Sequence, residues 1–65
     1  MKITVNGEAR ATQVETLDDL CRELGFTEAK IATARNGAFV PAAERGRVSL
    51  EEGDSIEILS PRQGG

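Results

Sequence analysis

The chain has 65 residues, with 8 Lys and Arg against 11 Asp and Glu, a formal charge of −3, one Cys and no His, Trp or Tyr. A length well below the roughly 100–200 residues of a typical domain makes it one small domain, and one Cys without His excludes a disulfide framework, a structural zinc site and a His general base. The acidic balance argues against a nucleic-acid partner, which would need a basic patch, and reads as a device for solubility.

Ile3 and Val5 alternate with Lys2, Thr4 and Asn6, which predicts a half-buried strand. Asn6-Gly7 comes directly after, and both residues tolerate the positive φ that a tight hairpin turn needs. The return strand, Glu8 to Thr12, offers only Ala9 and Ala11 as apolar positions and reads as a sheet edge. Thr16 is placed to cap a helix, with Asp18 and Asp19 in its first turn. Leu17, Leu20, Cys21 and Leu24 then form one apolar stripe, Gly25 suits the position after the helix, and Phe26 supplies the accompanying apolar contact.

Lys30 to Arg35 predicts a third strand, and Asn36-Gly37 repeats the hairpin signal. Ala38-Phe39-Val40 is a short fourth strand ended by Pro41, which cannot donate to a ladder. Ala42 to Arg47 reads as a connection, with Val48 and Leu50 plugging the core. Glu52-Gly53-Asp54 is a turn, and Ser55 to Leu59 is the last strand, with Ile56 and Ile58 on one face. Residues 60–65 carry no apolar period and read as a flexible tail.

The first and last strands hold the strongest apolar alternation, so they are expected side by side at the sheet centre, parallel across a long connection. The fold class expected is α+β: a β-grasp, ubiquitin-like domain over residues 1–59, with a mixed sheet of about five strands packed on one helix. The tail is 60–65. Neither a signal peptide nor a membrane-spanning run is present in the sequence. A free thiol without an export signal points to the cytoplasm and away from the membrane.

No side chains form a catalytic constellation, so the chain is expected not to be an enzyme, with no catalytic residue, no metal and no bound cofactor. Asp18 and Asp19 serve the helix N-terminus, Cys21 is a small core hydrophobe, and Glu51, Glu52, Asp54 and Glu57 read as solvated surface. The chain end is the remaining chemical group. Gly65 ends in a carboxylate, ionised at neutral pH and a poor electrophile until activated, for example as an acyl-adenylate. Gly64 and Gly65 lack Cβ atoms and can thread a narrow channel; Arg62 and Gln63 offer polar handles and Pro61 stiffens the exit.

Three signatures occur in order: a strand closing on Asn6-Gly7; Asn36-Gly37-Ala38-Phe39-Val40-Pro41; and Gly53-Asp54-Ser55-Ile56-Glu57-Ile58, with Gly64-Gly65 after it. Across nearly the whole chain this resembles the ThiS family of sulfur carriers in thiamine biosynthesis. The resemblance implies that Gly65 is adenylated by an E1-like partner that consumes ATP. Gly65 then takes sulfur from a persulfide relay protein as a thiocarboxylate and donates it to thiazole synthase. Gly64 gives steric access. Members of the family often carry Arg after Val-Pro and an aromatic residue shortly beyond, where this chain has Ala42-Ala43-Glu44-Arg45. The small subunit of molybdopterin synthase is similar in fold and terminal diglycine, and the TGS type of non-covalent β-grasp module shares the turn signatures; both stand as alternatives, and conjugation through an isopeptide bond is a further use of such a tail. Phe39 and Leu59, on strands with less core demand, are the candidates for a partner surface.

Overall fold

A computed structural model describes residues 1–27 and 30–60. Strands β1 (Lys2–Val5) and β2 (Glu8–Ala11) form the first antiparallel hairpin, with Val5 opposite Glu8. Strands β3 (Ala32–Arg35) and β4 (Ala38–Val40) form the second, with Arg35 opposite Ala38. The two turns are alike: Asn6 and Asn36 both have φ 52°, and Gly7 and Gly37 both have φ 85°. Positive φ at both central residues is the type I′ geometry whose twist matches that of the strands it joins.

Strand β5 (Ser55–Leu59) is central in the sheet order β2-β1-β5-β3-β4. It runs parallel to β1, with Thr4 beside Ser55 and Val5 beside Ile56, and antiparallel to β3, with Thr33 opposite Ile58. The Asn6 N–H donates to the Ile56 carbonyl at 2.8 Å. There the β1 backbone turns away, but β5 continues. The Asn6 side chain bridges the gap: its Nδ2 donates to the Ile58 carbonyl at 3.1 Å, and the Ile58 N–H donates to its Oδ1 at 2.9 Å.

Helix α1 (Leu17–Glu23) starts as its sequence predicts, with the Asp19 N–H donating to Thr16 Oγ1 at 3.1 Å. It ends in a Schellman motif around Gly25, at φ 87°: the Gly25 N–H bonds the Arg22 carbonyl at 3.1 Å and the Phe26 N–H bonds the Cys21 carbonyl at 2.8 Å. Leu17, Leu20 and Cys21 face the sheet and meet Ile3, Ile56 and Ile58 in the core. Each fully buried Leu or Ile contributes about 1.5–3 kcal/mol. The core closes where residues 15–17 run against residues 48–50: the Leu17 N–H donates to the Val48 carbonyl at 3.0 Å and the Leu50 N–H to the Glu15 carbonyl at 2.8 Å. Leu50 is buried there and Val48 packs against the core, in the plugging roles expected of them.

The structure adjusts several boundaries. β2 stops at Ala11, because Thr12 turns inward, buried, and donates from its hydroxyl to the Glu23 carboxylate at 3.2 Å. β3 begins at Ala32 and not at Lys30. The connection after Pro41 is a 3-10 helix, Ala42–Arg47, which inserts Arg45 under β3. Arg45 is 7% exposed; its Nε donates to Thr33 Oγ1 at 3.0 Å and its Nη2 to the Ile31 carbonyl at 2.6 Å. Asp54, expected on the solvated surface, is buried at 5% exposure. The expectation of a flexible tail falls on residues 61–65, which lie outside the described residues.

Candidate functional site

The face of the sheet turned away from α1 is built by strand alternation. Ala34 pairs with Phe39 on one side and with Glu57 on the other, and Ala32 pairs with Leu59. Directly opposed residues project to the same face, so Phe39, Ala34 and Glu57 form one row and Ala32 and Leu59 the next. Phe39 is 69% exposed and Leu59 67%. The small alanines between them leave both large side chains standing proud, with Glu57 as the charge in their midst. Neither Phe39 nor Leu59 belongs to the core, so their positions on this face carry no packing demand.

Leu59 ends β5, and Ser60 is the last residue described. Arg62, Gln63, Gly64 and Gly65 lie outside the described residues.

At the other end of β5 a polar cluster ties the Asn36-Gly37 turn to the turn at residues 51–54. Asp54 Oδ2 accepts from Arg35 Nε at 2.9 Å and from the Glu51 N–H at 2.9 Å, and its Oδ1 accepts from Asn36 Nδ2 at 3.0 Å. Burial pushes the Asp54 carboxyl up, but the bonds from Asn36, Glu51 and Arg35 outweigh it and hold the group below its ordinary value. Asn36 Oδ1 meanwhile accepts from the Ser55 N–H at 2.8 Å. The four acidic residues near this turn do not converge: Glu52 accepts from the Lys2 N–H at 3.1 Å, Glu51 lies 3.9 Å from Arg35, and Glu57 is on the outer face. Among the described residues no group of three or more metal-ligating side chains is assembled.

Cys21 is buried on α1, beside a hollow of about 370 Å³ that Asp18, Phe26 and Arg45 also line. Burial raises its thiol pKa, Arg45 offsets part of the rise, and Asp18 adds to it. A protonated, enclosed thiol is a core group and a poor nucleophile. No helix of the described residues is long and apolar enough to cross a membrane.

The ThiS family model matches residues 3–65. A thiazole synthase of Paramagnetospirillum magneticum is 36% identical over 66 residues, covering 100% of this chain but 20% of that protein. A thiazole synthase of Magnetococcus marinus is 42% identical over 60 residues, 91% of this chain and 18% of that one. The chain therefore spans about a fifth of the length of the curated relatives it matches. The crystal structure of a thiamine biosynthesis protein (ThiS) from Geobacter metallireducens superposes with a TM-score of 0.81 at 25% identity, covering 100% of both chains.

Proposed function

This chain belongs to the ThiS family, and on that premise we propose that it carries sulfur for the thiazole moiety of thiamine, with the Gly65 carboxylate as the group that is charged. The observation that carries the reading is that the family match runs through Gly64 and Gly65, on a fold matched over its whole length by a thiamine biosynthesis protein.

The chemistry is dictated by the needs of a terminal carboxylate. A Gly65 carboxylate oxygen attacks the α-phosphorus of ATP in the site of an adenylating enzyme, and pyrophosphate leaves. The terminal sulfur of a persulfide on a relay protein attacks the acyl carbon, and AMP leaves. A thiol then cleaves the S–S bond and frees the thiocarboxylate, whose sulfur passes to thiazole synthase. The chain itself is a co-substrate in each step and supplies no catalytic side chain. Gly64 admits the chain end to a narrow site, while Arg62 and Gln63 give the partner polar groups to grip. Phe39 and Leu59 supply apolar docking area next to the root of the tail. Thiazole synthase is supported as the receiving partner by relatives in which a segment like this chain is part of a thiazole synthase polypeptide. Those relatives also favour thiamine over the molybdopterin pathway.

Intact-mass measurement of the protein taken from its own cells tests the reading directly. A fraction of the chain gains the mass of one sulfur in place of one oxygen at Gly65, and deletion of Gly65 abolishes both adenylation and the gain. A Gly65-deleted chain that is still adenylated and sulfurated would sink the proposal.

A further inference from the structure

Asn6 does two separable things. Its backbone supplies the positive φ of the first turn, a demand that Gly would meet equally well. Its side chain supplies a donor and an acceptor to the backbone of Ile58, fifty-two positions away. The second act lies beyond the turn. In a continued parallel ladder the Ile58 N–H would donate to the Asn6 carbonyl and the Ile58 carbonyl would accept from the N–H two residues further along β1. The β1 backbone has already turned at that point, and the Asn6 amide stands in for the missing peptide group. Ile58 is 2% exposed, so its N–H and C=O would otherwise be buried without partners on the β1 side.

Ile58 is two residues before Ser60, so Asn6 holds the β1 side of the strand end from which the tail departs, while Thr33 and Ala32 of β3 hold its other side. Asn36 provides an internal comparison. It has the same φ and the same Gly after it, and its amide binds the first residue of β5, Ser55, and the Asp54 carboxylate just before it, at the end remote from the tail.

We propose that Asn6 is a positioning residue for the reaction at Gly65: by extending the β1–β5 ladder through its side-chain amide, it aims the root of the tail, and so decides how often a docked carrier presents its carboxylate correctly. The proposal rests on the reading of Gly65 as the charged group. Docking uses the Phe39 and Leu59 face and governs KM, whereas presentation within the docked complex governs kcat.

The test is ATP–pyrophosphate exchange with the adenylating enzyme, titrated with wild-type carrier, Asn6→Gly, Asn6→Asp and Asn36→Gly. Asn6→Gly lowers kcat about tenfold with KM changed about twofold or less, as expected of a group that orients reacting atoms without contacting them. Asn36→Gly leaves kcat within about twofold of wild type, although both Gly variants melt at lower temperature. Asn6→Asp keeps an acceptor for the Ile58 N–H but sets a carboxylate oxygen against the Ile58 carbonyl, and its kcat falls below that of Asn36→Gly. If Asn6→Gly does not fold, the comparison of Asn6→Asp with Asn36→Gly decides. Equal kcat values for the Asn6 and Asn36 variants, both unchanged or both reduced, would overturn the proposal and leave Asn6 a structural residue. A wild-type carrier that supports no exchange refutes the carrier reading, and this inference with it, an outcome distinct from an active wild type with an unaffected Asn6→Gly.

Discussion

Asp54 shows how one buried carboxylate serves the whole last turn. Three donors surround it, from Arg35, Asn36 and the Glu51 backbone. Burial alone would raise its pKa, but the donors overcome this and the folded value lies below the unfolded one, about 3.9 for Asp. A depressed folded pKa means stability that is present above the unfolded pKa and lost as pH falls through the folded one. Thermal melts of wild type should therefore drop as pH falls below the unfolded value, and Asp54→Asn should flatten that acid limb. At pH 7 the variant loses about 2 kcal/mol, the scale of hydrogen bonds to a charged group. An unchanged acid limb would assign it to other carboxylates. The sequence disclosed Asp54 as a turn residue but not as a buried one. Its burial is made by Arg35 and Asn36, nineteen and eighteen positions earlier, and no local pattern reports such a distance. Arg45 escaped for the same reason: a charged residue in an aperiodic stretch carries no signal of burial.

At the scale of elements, legibility tracked local chemistry. The two Asn-Gly turns, the Thr16 cap and the Gly25 stop are each set by a residue whose conformational demand is visible in the chain, and all four stand where the pattern puts them. The 3-10 helix Ala42–Arg47 reads in the sequence as a mere connection, since a short run without apolar period has no signature. Strand β4 has little to do for the core beyond Val40, which leaves its Phe39 open to another role. Because Phe39 is mostly exposed, Phe39→Ala should change unfolding free energy by about 0.5 kcal/mol or less. The same change should weaken carrier binding to its partner about tenfold, the effect of losing an aromatic anchor. Denaturant titration and binding calorimetry measure the two separately. Unfolding by the variant would place Phe39 in the core, and unaltered binding would move the docking surface elsewhere.

Over the whole molecule, the sheet is closed by its first and last strands. That pairing was legible because β1 and β5 carry the strongest alternation, whereas the place of β3 on the far side of β5 was not, being set by pairings remote in sequence. With β5 flanked on both sides and Ile56 and Ile58 sealed in the core, backbone amides of β5 should exchange with solvent most slowly, near the rate set by global unfolding. Those of the outer strands β2 and β4 should exchange faster. Native-state hydrogen exchange reads this residue by residue, and a β5 that opens before the outer strands would contradict it. The parallel sense of β1 and β5 has one more consequence. Both strands start at the same pole of the sheet, where the Met1 ammonium group donates to the Thr12 carbonyl at 3.0 Å, and Leu59 stands at the opposite pole. An affinity handle, a fluorophore or a surface tether attached through Met1 would therefore sit at the pole of the sheet remote from Leu59.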